Sequence, residues 1–291
     1  MDTEKHLKFA FFGTPEVASK TLEILYKNGY VPSIIITQPD APSGRGLELH
    51  ESPVSIWAKE HNINCLKPDK ITPEFIEEFN KFNTDLSIVV AYGKILPEAL
   101  IITPRLGTIN IHYSLLPKYR GASPLEAALL AGDEVTGVSI QQMEFKMDTG
   151  PIIAEQGLAI NINDTKETLR EKLIVLGSEL LIKTLQTPSF ILPLIKGEVP
   201  KAVGVAQNES LATYCSKIKK EDGEIDPTGD ARINWNKYRA FYGWPGVFFF
   251  LDGKRIKVTH ARFDNGLFII EKVTPEGKKE TTYQNLLDTL K

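Results

Sequence analysis

Leu7-Lys8-Phe9-Ala10-Phe11-Phe12-Gly13-Thr14-Pro15 is the stretch from which the fold can be argued. Leu7–Phe12 is an apolar run of strand length, and Gly13 breaks it. Thr14 is a residue type that caps helix N-termini, and Pro15 suits a first helical position, where no N–H is needed. The helix these two predict runs to Asn28-Gly29, where the glycine supplies a stop. Val31–Thr37 then reads as a second strand. Further on, helices are expected over Pro53–His61, Pro73–Phe82, Pro124–Ala131 and Lys166–Leu185. Strands are expected over Ile63–Leu66, Leu86–Ala91, Gly107–His112, Val135–Met143 and Pro151–Ile160. Such alternation of strand and helix predicts an α/β fold on a largely parallel sheet. Gln38–Ser52 reads as a polar loop carrying Pro and Gly.

The pattern dissolves near Thr187. Pro188, Pro193, Gly197 and Pro200 mark a linker, so the expected organisation is a domain over 1–187, a linker over 188–207 and a second domain over 208–291. Beyond the linker one helix, Asp230–Phe241, precedes three apolar-rich runs, Val247–Leu251, Ile256–Phe263 and Leu267–Val273. Asp252-Gly253 and Asp264-Asn265-Gly266 separate them and are hairpin signals. A small antiparallel β-domain of partly open, OB-like barrel type fits.

Bulk composition excludes several classes. With 42% hydrophobic and 24% charged residues in 291, the chain reads as ordinary globular protein. Its longest apolar runs, such as Leu86–Tyr92, fall far short of the roughly 20 residues that span a bilayer, so no membrane is expected. The polar N-terminus lacks the apolar core of a signal peptide, and the two cysteines match no metal spacing. Reduced core thiols in the cytosol are the simplest reading. The net charge of −3 divides unevenly: from residue 201 onward there are 15 Lys+Arg against 12 Asp+Glu, a balance of +3, leaving −6 for the rest. That asymmetry permits an anionic partner at the C-terminal end without demanding one.

Chemistry concentrates in Gly107-Thr108-Ile109-Asn110-Ile111-His112. Side chains alternate along a strand, so Thr108, Asn110 and His112 share one face. A central parallel strand is normally apolar on both faces, and its carboxyl end is where open α/β sheets bind ligands. An edge strand with one wet face would look the same. The continuation decides between them. Tyr113-Ser114-Leu115-Leu116-Pro117 leads into Tyr119-Arg120-Gly121-Ala122-Ser123-Pro124, and Asp148-Thr149-Gly150 follows. Together these resemble the signature of the 10-formyltetrahydrofolate-dependent formyltransferases.

The resemblance implies that Asn110, His112 and Asp148 are catalytic, that Ser114, Leu115, Leu116 and Pro117 contact folate, and that 10-formyltetrahydrofolate is the donor, with no metal required. Phe11–Pro15, Thr37–Gly46, Val89–Pro97, Lys217–Asp226 and Trp244-Pro245-Gly246 look like the methionyl-tRNA branch of that family, so the likeness spans nearly the whole chain. That branch has a Rossmann-like catalytic domain, a linker and an OB-like domain. It implies formylation of initiator methionyl-tRNA by a cytoplasmic monomer. In the branch the loop after Thr37 grips the tRNA acceptor end and usually carries lysines after Gly46, where this chain has Leu47-Glu48-Leu49-His50-Glu51. Arg45, joined by Arg105 or Arg120, is expected to carry that load. Arg255 and Lys257 on the β-domain are the other expected tRNA contacts, since they share a strand face opposite Ile256 and Val258. Tyr113 stands where the family more often has a small residue or proline.

In the expected chemistry, Asn110 donates to an oxyanion without titrating. His112, of a type whose ordinary pKa is about 6.5, moves a proton, and Asp148 orients it. Competing readings are a transferase acting on an amino-sugar nucleotide or other small amine, a hydrolase that discards the formyl group, and a non-catalytic RNA binder.

Overall fold

A computed structural model of the chain describes residues 7–43, 48–187 and 204–289. Contacts group the chain into two compact units. One comprises the chain up to Arg120 with Gly137–Gly157 and Lys172–Thr213; the other comprises Gly121–Thr136, Leu158–Glu171 and the chain from Tyr214 onward. The expected linker falls outside the described residues over 188–203.

The first unit is organised by seven strands. They are β1 (Phe9–Gly13), β2 (Ile34–Ile36), β5 (Cys65–Leu66), β6 (Leu86–Val90), β7 (Thr108–His112), β9 (Val135–Gln142) and β10 (Ile152–Ala159), in the spatial order β10-β9-β7-β6-β1-β2-β5. Between them the hairpin β3 (Ala41–Ser43) and β4 (Glu48–His50) stands apart. The two-residue strands β8 (Arg120–Gly121) and β11 (Tyr214–Cys215) lie where the chain passes between units. The pairs β1–β2, β1–β6, β2–β5 and β6–β7 are parallel, and β7–β9 is antiparallel. Every residue of β1 and β6 is buried, as expected of strands covered on both faces. Helices α1 (Glu16–Lys27), α2 (Pro53–Glu60), α3 (Pro73–Asn80), α4 (Glu98–Ile101), α5 (Pro124–Ala131) and α6 (Lys166–Gln186) complete the part expected from strand–helix alternation. Phe12 anchors the core, with Phe79 and Tyr92 at ring-centroid distances of 5.7 and 5.5 Å.

Strand order reverses direction beside β1: the chain runs outward through β2 and β5, then returns to β6 on the other side. Open α/β sheets bind their ligands at such a reversal. There the loops after β1, β2 and β6 converge on one carbonyl, that of Tyr92, which accepts from Thr14 Oγ1 at 2.9 Å and from Gln38 Nε2 at 2.7 Å. This corrects the expected role of Thr14. Its hydroxyl is spent on Tyr92, Pro15 occupies the N-cap without a side-chain bond, and α1 begins at Glu16. Gly13 is required by close packing: a Cβ there would sit 2.6 Å from Ala18 Cβ.

In the second unit α5 packs on the helix Ala231–Ala240, so this unit includes a helix from the first 187 residues. Strands β12 (Val247–Leu251), β13 (Lys254–Asp264), β14 (Leu267–Pro275) and β15 (Thr281–Thr282) form one antiparallel sheet, followed by a short helix, Tyr283–Asp288. Ile256, Val258, Val273, Phe248 and Phe249 are buried in it. Both cysteines are free thiols, and burial pushes Cys65 up to about 11, which leaves it a poor nucleophile at neutral pH. Among the described residues no helix is long and apolar enough to cross a membrane.

Candidate functional site

β7 and β9 build the floor of the site. Their antiparallel register sets Asn110 opposite Gln141 and His112 opposite Ser139, so these four side chains share one face; Ile109, Ile111, Ile140 and Gln142 take the other. His112 is 5% exposed, and its ring is anchored through Nε2. Nε2 donates to the Tyr119 carbonyl at 2.9 Å, and Nδ1 faces Asp148 Oδ1 at 3.7 Å, an ion pair whenever the ring is protonated. Two of the three residues expected to be catalytic are thus adjacent, and the third lies two positions back on the same strand face. Asn110 is half-buried, and its amide makes no hydrogen bond among the described residues. An amide without a protein partner is available to donate to a ligand.

Asp148 sits in a turn at φ 53, a left-handed conformation that asparagine and aspartate tolerate better than most residues. Gly150 closes this turn because nothing larger fits: a Cβ would lie 1.7 Å from the Gln142 carbonyl. The spacing of Asp-Thr-Gly therefore has a local cause.

Two glutamines that sequence reading passed over hold this aspartate. Gln141, 1% exposed, donates from Nε2 to Asp148 Oδ1 at 2.8 Å. Gln207 donates to the Asp148 and Gly150 carbonyls at 2.9 and 2.8 Å. Gln141 sits in an ordinary strand interior, and Gln207 lies 59 residues from Asp148, so neither had a local signal.

The expected folate loop is pinned from beneath. Ser139 Oγ accepts from Leu116 N at 2.9 Å and lies 2.7 Å from the Ser114 carbonyl, while Ser114 Oγ donates to the Lys118 carbonyl at 2.6 Å. The Leu116–Pro117 peptide is cis. Ser114 and Leu116 are buried, whereas Leu115 and Pro117 are half-buried and keep surface for a ligand. Tyr113 finds room against helix α6 because position 177 is glycine; a Cβ there would already lie 3.6 Å from its ring. Burial pushes its phenol up.

Of the expected RNA contacts, Arg45 lies outside the described residues. Arg120 cannot be one of them. It is 0% exposed, and its guanidinium donates to Gln207 Oε1 at 3.0 and 2.7 Å and to Glu209 at 2.9 and 2.6 Å. Arg105 is partly exposed and pairs with Asp85 at 3.1 Å. On β13 the expected alternation holds: Ile256 and Val258 are buried, Lys257 is exposed, and Arg255 lies over the Phe248 ring at 3.7 Å. Arg255 and Lys257 pair across the ladder with Phe250 and Phe248, and Phe250 is 54% exposed. One exposed aromatic ring, Phe250, therefore stands beside these two cations on the same face.

Among the described residues no group of three or more His, Cys, Asp or Glu side chains is placed to hold a metal ion.

Comparisons with known proteins bear on the family and the fold. The family model described as formyl transferase matches residues 7–185, and that of the formyl transferase C-terminal domain matches 217–268. The stretch between them carries Gln207 and Glu209. The methionyl-tRNA formyltransferase of Citrifermentans bemidjiense is 39% identical over 89% of this chain and 79% of its own. That of Thermodesulfovibrio yellowstonii is 35% identical over 95% and 94%. Among solved structures, an N-formyltransferase from Helicobacter canadensis with folinic acid and dTDP-3-aminofucose has a TM-score of 0.64 at 21% identity, covering 89% of this chain and 88% of that one. A methionyl-tRNA formyltransferase from Clostridium thermocellum scores 0.60 at 18% identity, covering 92% and 98%. At such identities these structures speak for the fold. The sequence relatives and the family models speak for descent, and on them the chain belongs to the methionyl-tRNA formyltransferase family.

Proposed function

We propose that this enzyme transfers the formyl group of 10-formyltetrahydrofolate to the free amino group of initiator methionyl-tRNA in the cytosol. The observation that carries the reading is the placement of Asn110 and His112 on one face at the carboxyl end of β7, with Asp148 Oδ1 3.7 Å from the histidine ring. The amine lone pair attacks the formyl carbon, and the carbonyl π pair moves onto oxygen. Asn110 supplies an N–H to that oxyanion, an interaction stronger in the transition state than in the ground state. Collapse of the tetrahedral intermediate breaks the bond to folate N10. One proton leaves the amine and one reaches N10, and the paired His112 and Asp148 take it and return it. Leu115 and Pro117 offer the pterin apolar contact, while the main chain of Ser114–Pro117 is held in shape by Ser139.

The test is direct. Incubated with 10-formyltetrahydrofolate, the chain is expected to formylate methionyl-tRNA and to leave amino-sugar nucleotides and small purine-precursor amines untouched. Formylation of a small amine in preference to the tRNA would overturn the substrate assignment, and release of formate without transfer would make it a hydrolase.

In a chain of net charge −3, tRNA needs a local basic surface. Arg45 belongs to the proposal for the acceptor end, and the Arg255–Lys257 face, with Phe250 beside it, supplies phosphate and stacking contacts for RNA. Reversing both charges, Arg255→Glu with Lys257→Glu, should raise KM for the tRNA. It should also flatten the log–log salt dependence of binding by about one unit per lost phosphate contact. Identical salt slopes for the double variant and the wild type would place the RNA elsewhere.

A further inference from the structure

The amide of Gln207 is used at every position it has. Oε1 accepts twice from the buried guanidinium of Arg120, and Nε2 donates twice, to the carbonyls of Asp148 and Gly150. The two ends cannot be exchanged, because a guanidinium only donates and a carbonyl only accepts. The target is also specific. Asp148 occupies a left-handed backbone conformation of a kind that persists where surroundings over-determine it. Gln207 grips the two carbonyls that bracket Thr149, the residue after that strained position. Arg120, 0% exposed, fixes the glutamine from behind and is itself held by Glu209.

We propose that Gln207 is a positioning residue for formyl transfer: anchored on Arg120, it clamps the Asp148–Gly150 turn and so sets the carboxylate against the His112 ring. The inference rests on the functional reading above, in which Asp148 takes part in the chemistry. Gln207 itself touches no reacting atom and acts through Asp148. A misplacement of about 1 Å in a reacting group can cost up to about 100-fold in rate. Loss of the clamp should therefore lower turnover and leave binding alone.

The informative substitution is Gln207→Glu in the full chain. The glutamate keeps an oxygen for Arg120, and so keeps the buried charge satisfied, but it has no N–H for the turn. Single-turnover formylation of methionyl-tRNA should fall about tenfold, with affinities for folate and tRNA within about twofold of wild type. Gln207→Asn retains the amide and withdraws it by one methylene; as an independent variant it should lose rate in the same direction, with melting curves recorded beside the rates because its oxygen also withdraws from Arg120. The decisive readout is a double-mutant cycle: in an Asp148→Ala background, Gln207→Glu should cost less than about twofold, because the group it positions is gone. A rate within twofold of wild type for both variants overturns the proposal, and so does an equal loss with and without Asp148. A wild-type chain that formylates no methionyl-tRNA sinks the functional reading instead, so the two failures are told apart.

Discussion

Truncating Asn110 or His112 to alanine is expected to lower the single-turnover rate of formyl transfer by at least about 100-fold, with tRNA affinity unchanged. Asp148→Ala should fall in the same range. Asn110 gives the cleanest reading of the three. It is half-buried and makes no hydrogen bond among the described residues, so its removal orphans no protein group there and should cost little stability. What is lost is one fixed donor at the position where negative charge develops. His112→Ala is less clean, because it strips the Tyr119 carbonyl of its donor as well as removing the titrating ring. Melting curves must accompany the rates for that variant. Rates within about threefold of wild type for two of the three substitutions would overturn the catalytic assignment.

How much of this was legible in the sequence depended on the range of the physics involved. β1 and β6 were readable because strands covered on both faces are near-continuous apolar runs, interrupted here by Ser87, and every one of their residues is buried. β2 came out shorter than Val31–Thr37 because only Ile34–Ile36 have partners in the ladder, and Val31 is exposed. The hairpin of β3 and β4 was hidden in a stretch expected to be a polar loop, since three-residue strands show too little alternation to detect. In the site, Asn110 and His112 stood out because polar side chains on one face of an interior strand contradict the pattern around them. Asp148 on its own reads as an everyday turn; only the order of the flanking motifs marked it. Gln141, Gln207 and the burial of Arg120 were illegible because their meaning lies in contacts made across the fold. No periodicity or spacing reports a glutamine that reaches a carbonyl 59 residues away.

Arg120 is where the sequence reading and the structure part most widely, and it carries the second large prediction. Within Tyr119-Arg120-Gly121 it was a surface cation for RNA; in the fold it is 0% exposed with its hydrogen bonds on Gln207 and Glu209. Arg120→Met keeps much of the volume and deletes the charge. Glu209, whose side chain is 61% exposed, returns to water at little cost, so the loss should fall below that of a fully buried ion pair. Gln207 has no such escape, and its Oε1 loses both donors from Arg120. The expected destabilisation is about 2–3 kcal/mol, read as a fall in the urea midpoint at constant m-value. Arg105→Met is the control: a partly exposed pair with Asp85 at 3.1 Å should contribute at most about 1 kcal/mol. Because Gln207 then grips the Asp148 turn without its anchor, turnover of folded Arg120→Met should also drop, while the salt dependence of tRNA binding stays that of wild type. A stability loss under about 0.5 kcal/mol would mean that the buried guanidinium is not a structural anchor. A flattened salt slope would return Arg120 to the RNA surface, against its burial.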